Sequence, residues 1–133
     1  MSESELLAAH ALITRSYWAE NIPLATFRRA CENPLCFQVQ ADGQLVAFAR
    51  VITDRATYAY LCDVMVAEAY RGRGFSKQLL CEIQAHPDLQ GLRRFTLCTR
   101  DAHELYRTFG FSGIQRPEIY MEINVPNAYS AQG

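Results

Sequence analysis

The sequence lacks a long apolar run, a charge of one sign and a paired set of cysteines. No stretch reaches the roughly 20 apolar residues that a bilayer-crossing helix requires, and no membrane role is expected. Lys and Arg number 13 against 14 Asp and Glu, a formal charge of −1. No broad basic field therefore exists to hold nucleic acid or an anionic membrane, and any anion site has to be local. The five cysteines, Cys31, Cys36, Cys62, Cys81 and Cys98, are odd in number and never spaced CxxC. That excludes a familiar zinc pattern and favours reduced packing residues, so no metal is expected. The opening MSESELLAAH carries acids where a secretory leader carries basic residues, which points to the cytoplasm. A chain of 133 residues has room for a single domain over 1–133, with no repeat or linker to divide it.

Half of the residues are hydrophobic, and their spacing sets the expected elements. Ser2 and Ser4 offer caps for a first helix in which Leu6, Ala9, Ile13 and Tyr17 recur at helical spacing, ending near Ser16. A second short helix starts at Pro23 and runs through Phe27 and Ala30 to Asn33-Pro34. Cys36 to Gln40 and Leu45 to Ile52, joined by Asp42-Gly43, read as a hairpin. Thr57 to Val66 reads as a strand buried on both sides, with Tyr60, Cys62, Val64 and Val66 on one face and Leu61 and Met65 on the other. Asp63 is its only charge.

Phe75, Leu79, Leu80 and Ile83 then share one face of a helix that stops before Pro87. Leu92 to Cys98 is a strand, Asp101 caps a short helix through Leu105 and Tyr106 that ends at Gly110, and Ile119 to Val125 is a final strand. Residues 126–133 look like a frayed tail. Helices, hairpin, long strand, helix, strand, helix, strand define an α+β fold, a mixed sheet with helices on its faces.

The turn Arg71-Gly72-Arg73-Gly74-Phe75-Ser76 lies between the long strand and an amphipathic helix. Two glycines let the backbone approach a ligand, and amides at the helix start point at it with the helix dipole behind them. Arg71, Arg73 and Lys77 add positive charge, so phosphate is the natural guest. The spacing is neither that of a P-loop nor that of a Rossmann turn, where Lys77 would have to be a third glycine. Read locally, a plain tight connection with solvated arginines remains an alternative.

Val66-Ala67-Glu68-Ala69-Tyr70-Arg71-Gly72-Arg73-Gly74-Phe75-Ser76 resembles the acyl-CoA signature of the GNAT (GCN5-related N-acetyltransferase) family. Thr99-Arg100-Asp101-Ala102-His103-Glu104-Leu105-Tyr106 with Phe109-Gly110-Phe111 resembles that family's second motif, Thr99 standing where Asn is usual. The resemblance implies a mostly antiparallel mixed sheet flanked by helices on both faces, and acetyl-CoA as co-substrate. It implies that amides from Arg71 to Ser76 hold the CoA pyrophosphate and that the main chain of Val64, Met65 and Val66 holds the pantetheine arm and thioester. Thr99 and Ala102 fall at cofactor positions, and Tyr106 at the place of the acid that protonates the departing thiolate.

Asp63 is a carboxylate in an apolar strand, costly unless paired or used. It is a candidate base or a binder of the substrate ammonium, with an arginine partner or a water chain as the other possibilities. Tyr17 and Trp18 fall where the family's substrate wall begins, although packing accounts for them equally well. His103 stands one helical turn before Tyr106, and His10 and His86 show no partner in sequence. Arg93, Arg94 and Arg100 read as solvated. The expected activity is acetyl transfer to a primary amine of a small molecule or peptide. The alternatives are a catalytically silent CoA-binding module and an enzyme with another acyl donor or a non-amine acceptor. A homodimer is compatible with all of these.

Overall fold

A computed structural model describes residues 1–129 and places its elements in the order α1 (Glu3–Ile13), α2 (Leu24–Ala30), β1 (Leu35–Ala41), β2 (Gln44–Thr53), β3 (Tyr58–Val66), α3 (Phe75–Ala85), β4 (Arg94–Leu97) and α4 (His103–Arg107). The four strands lie in the order β1-β2-β3-β4. β1–β2 and β2–β3 are antiparallel, and β3–β4 is parallel. The hairpin turn Asp42-Gly43 takes φ +52° and +74°, the left-handed pair that a two-residue connection between twisted strands demands.

α1 starts with a capping box: Ser2 Oγ accepts the Glu5 N–H at 3.1 Å and the Glu5 carboxylate accepts the Ser2 N–H at 2.7 Å. It ends at Ile13, a turn sooner than its periodicity suggests. The hydroxyls of Thr14 and Ser16 donate to the carbonyls of Ala11 and Ile13, and Ser16 Oγ also accepts the Ala19 N–H. These short polar side chains compete with the helical backbone. Tyr17 therefore leaves the helical phase, and with Trp18 it stands exposed on the following loop.

Two apolar layers flank the sheet. On one face α3 packs Leu79, Leu80 and Ile83 against Ala47, Ala49, Val51, Ala59 and Leu61. These three α3 side chains are at most 1% exposed, and burying each contributes roughly 1.5–3 kcal/mol. That packing fixes the start of α3, and hence the glycine turn, against the end of β3. On the other face Phe27 and Phe48 join Leu6, Ala9, Leu12 and Ile13.

β3 is not a uniform strand. Phe48 pairs with Met65 and Arg50 with Cys62, so one β2 residue, Ala49, faces two β3 residues, Asp63 and Val64. Asp63 absorbs the extra residue at φ +55°. Such a bulge reverses the alternation beyond it. Val64 and Val66 thus pack with Ala59 and Leu61 on the α3 side, and Met65 packs with the α1 cluster. The expected single face of Tyr60, Cys62, Val64 and Val66 is split at this point.

The expected final strand is absent among the described residues. After a single turn at Pro117–Ile119, the chain to Val125 is unpaired, with Met121 97% and Ile123 99% exposed. The alternation is present, but within one chain no sheet edge pairs with it. Of the expected frayed tail, residues 126–129 form a turn that packs Tyr129 against the α1 cluster. Residues 130–133 lie outside the described part.

Candidate active site

β3 and β4 pair only from Tyr58↔Arg94 to Leu61↔Leu97, whereas β3 continues to Val66. Beyond Leu61 the two parallel strands part, leaving the β4-facing edge of Val64, Met65 and Val66 outside any ladder. At the end of β3 a short turn, Glu68–Tyr70, leads into Gly72 and Gly74, at φ +78° and +86°. Gly74 is the residue before α3, and no side chain caps the helix start. The first amides of α3 therefore keep their donors for a ligand. Nothing lies within 4 Å of a Cβ built on either glycine, so the space above the turn is open. Arg71 Nε donates to the Val66 carbonyl at 3.1 Å, tying the turn to the strand end. The Arg73 guanidinium stacks 5.1 Å from the centre of the Tyr70 ring.

At the other end of the parting strands lies a cleft of about 640 Å³. It brings together Tyr17, Trp18, Asp63, Val64, Thr99, Ala102 and Tyr106. Met65, Val66 and the glycine turn do not line it and lie further along β3. Tyr106 is 8% exposed, with its ring edge-on to Phe111. Its hydroxyl makes no side-chain hydrogen bond and is not a buried unpaired atom among the described residues, and the residue lines both this cleft and a neighbouring cavity of about 490 Å³. Burial, aided by the negative charge of Asp101, raises the pKa of this phenol. It stays protonated well above neutral pH.

The bulge aims Asp63 at two donors. Trp18 Nε1 reaches Oδ1 at 2.8 Å, and Arg50 Nε reaches Oδ2 at 2.8 Å. Side-chain exposures of 15% for Arg50 and 9% for Asp63 make this a largely buried ion pair. Burial is the largest single influence and opposes the Arg50 charge. The charge and hydrogen bond of Asp63, together with the nearby Cys62 and Cys31 thiols, outweigh it, and the pKa of Arg50 is raised. The chain of contacts continues outward. Trp18 meets Tyr17 edge-on at 5.1 Å, and the Arg100 guanidinium lies 3.7 Å from the centre of the Tyr17 ring.

Arg50, Arg100 and Tyr60 are the site residues that sequence reasoning missed. Arg50 had a signal, being the lone charge in the Leu45–Ile52 strand directly across the hairpin from Cys62. Arg100 had none, because its stacking on Tyr17 depends on the path of the loop after α1. Cys62, beside Asp63, is a thiol whose pKa burial pushes up to about 12, which makes it no ready nucleophile.

Several smaller expectations change. α4 starts after Ala102 with no side-chain cap, so Asp101 does not cap it, and Thr99 Oγ1 accepts the Ala102 N–H at 3.0 Å in the turn before the helix. His10 has a partner, the Ile22 carbonyl at 2.8 Å, and His86 Nδ1 accepts the Asp88 N–H. Both stabilise turns away from the cleft.

A mixed sheet whose parallel strands part, with a glycine turn at one end of the gap and a buried phenol at the other, defines an acyltransferase-type fold. The model of the acetyltransferase (GNAT) family matches residues 6–111, and the chain belongs to that family. A crystal structure of a protein assigned to the GNAT family from Xanthomonas campestris pv. campestris is 50% identical, with a TM-score of 0.91 over 95% of this chain and 89% of that one. The ribosomal-protein-S18-alanine N-acetyltransferase of Escherichia coli is 24% identical, with a TM-score of 0.69 over 84% of this chain and 74% of that one. The aminoglycoside N-acetyltransferase AAC(6')-Iy, solved with CoA, is 21% identical, with a TM-score of 0.68 over 92% and 91%. The last two likenesses concern the fold alone. None of the curated proteins matches this sequence.

Proposed function

We propose that this protein is an N-acetyltransferase that moves the acetyl group of acetyl-CoA directly to a primary amine of a small molecule or peptide. One arrangement supports this above all. The unpaired end of β3 runs from a cleft lined by Tyr106 to an uncapped helix start behind two glycines. Bound acetyl-CoA supplies the activated thioester.

Amides from Gly72 to Ser76, with Phe75 at the first position of α3, hold the pyrophosphate at the positive end of the helix dipole, the Arg71 N–H being already given to the Glu68 carbonyl. The main chain of Val64, Met65 and Val66 carries the pantetheine arm along the gap, and an amide there polarises the thioester carbonyl as oxyanion charge develops. Thr99 and Ala102 form the opposite bank. Tyr106 gives its proton to the departing thiolate, a role suited to a phenol kept protonated by burial. The amine enters beside Tyr17 and Trp18 and reaches the acyl carbon as the free base.

Asp63 is already held by Arg50 and Trp18. Both of its oxygens are engaged by these donors, and we assign it to shaping the acceptor wall and orienting the amine. The amine's proton then leaves through water. The five free cysteines support a reducing, cytoplasmic setting.

A thiol-release assay with acetyl-CoA across polyamines, amino acids, aminoglycosides and peptides tests the proposal. Turnover with at least one amine is expected. Tight CoA binding with no turnover across the panel would make the protein a silent CoA-binding module, and turnover confined to longer acyl-CoA donors would replace the acetyl group.

A further inference from the structure

The cleft beside Tyr106 holds a positive charge with no carboxylate partner. Asp63 is matched by Arg50, so that pair adds no net charge to the wall. Arg100 lines the same cleft, and among the described residues it joins no ion pair and no side-chain hydrogen bond. Its guanidinium lies over the Tyr17 ring, 3.7 Å from the centre. Tyr17 in turn meets Trp18 edge-on, and Trp18 donates to Asp63. A ring face holds a guanidinium without using its N–H groups. Arg100 is thus placed by the cleft wall while its donors stay available.

The surroundings narrow what those donors can meet. A guanidinium fork matches a carboxylate, which it binds through two parallel hydrogen bonds. The CoA pyrophosphate is not the anion in question, because the glycine turn lies further along β3 and does not line this cleft. Asp101, the next residue, also lines the cleft. Its charge opposes a doubly charged phosphate beside Arg100 more than a singly charged carboxylate. The same charge attracts an ammonium, and it is felt at the Tyr106 phenol, toward the end of the cleft where acyl transfer is assigned. One fixed positive and one fixed negative group complement a zwitterion. A polycation fits poorly, because its further ammonium groups meet Arg100.

Resting on the reading of this cleft as the acceptor site, we propose that the acceptor is a free amino acid. The Arg100 guanidinium over Tyr17 holds its carboxylate, and Asp101 directs its amine toward Tyr106. Selection then follows charge pattern. Polyamines and aminoglycosides are disfavoured, and a peptide amino terminus, whose own carboxyl group is an amide, lacks the group that Arg100 takes.

Trp18 is the single tryptophan of the chain and stands in this wall, so its fluorescence reports occupancy of the cleft without requiring turnover. The full chain, with and without CoA, is titrated with L-lysine against cadaverine and with L-phenylalanine against phenethylamine. The members of each pair differ only in the α-carboxylate. Each amino acid should bind at least about tenfold more tightly than its decarboxylated partner, as one charge-assisted contact implies. Arg100→Gln should bring both ratios to within about twofold. A general distortion of the cleft would weaken both members of a pair and leave the ratio in place. Equal binding within the pairs by the wild type overturns the proposal. So does a ratio that survives in Arg100→Gln, or a cleft that answers none of the four compounds. Thiol release from acetyl-CoA separates this proposal from the transfer reading. Release with the decarboxylated amines as fast as with the amino acids leaves acetyl transfer standing and overturns the carboxylate assignment. Carboxylate-dependent binding without any release upholds the assignment and removes the transfer reading.

Discussion

Trp18 donates its indole N–H to Asp63 at 2.8 Å, across 45 positions of sequence. This one bond joins the loop after α1 to the bulge of β3, and so ties the Tyr17–Trp18 wall of the cleft to the strand that borders the gap beside β4. Trp18→Phe keeps the ring and removes the donor. We expect a several-fold higher KM for the amine, a kcat close to wild type and unchanged CoA affinity, measured by steady-state kinetics and calorimetric titration. A lowered kcat at constant KM would move Trp18 from substrate positioning to the chemical step.

The Asp63 carboxylate also holds Arg50, and removing one partner of a buried pair leaves the other uncompensated. Asp63→Ala should destabilise the fold by about 3–5 kcal/mol in urea denaturation. Adding Arg50→Met should recover much of that loss, because the stranded guanidinium is gone. A single-variant loss below about 0.5 kcal/mol would show that the pair carries no structural role.

Tyr106→Phe should cut kcat by about 10²–10⁴-fold with CoA affinity nearly unchanged. The pH dependence supplies a second reading. Burial and Asp101 raise the phenol pKa above its ordinary value near 10. An acid works while protonated, so wild-type activity should persist through pH 10 before this group limits it. The alkaline limb should be absent from the residual activity of Tyr106→Phe.

Gly74 sits at φ +86° with open space where a side chain would go. In the free protein, substitution therefore meets conformational strain and no clash. Gly74→Ala should cost roughly 1–2 kcal/mol of stability and weaken CoA binding at least tenfold by placing a methyl group over the phosphate turn. Gly43→Ala is the matched control, at φ +74° in the β1–β2 turn and likewise unhindered. It should lose similar stability and keep CoA affinity. Equal CoA affinity in both variants would remove the turn as the phosphate site.

Much of this was legible in the sequence because it rests on local chemistry. The capping serine, the Asp42-Gly43 hairpin, the apolar face of α3 and the spacing from the glycine turn to Tyr106 each leave a pattern in adjacent residues. Three features do not. The bulge at Asp63 exists only because β2 supplies one residue against two, so simple alternation put Val64 and Val66 on the wrong face. Tyr17 shared the helical period of α1, yet hydroxyl groups at Thr14 and Ser16 ended the helix before it. Ile119 to Val125 has strand periodicity without a strand, because pairing requires an edge that periodicity cannot supply.

Asp54, in the β2–β3 connection, gives a prediction about acid stability. Its carboxylate accepts the Thr57 hydroxyl and the amides of Ala56, Thr57 and Tyr58 at 2.6–3.1 Å. The Thr57 hydroxyl, then the three amides, hold its pKa well below the ordinary carboxylate value. The folded state thus binds this proton less readily than the unfolded chain, whose Asp titrates near 3.9. Its stabilising contribution is complete above about pH 4–5 and is lost as pH falls toward the depressed folded pKa. Asp54→Asn removes the charge that the three amides and the hydroxyl favour. The variant should be less stable than wild type at pH 7, and the difference should shrink progressively below pH 4. Urea midpoints at pH 7, 4 and 2.5 read this directly. A difference that stays constant across that range would mean that the carboxylate's charge contributes nothing and that only its shape holds the turn.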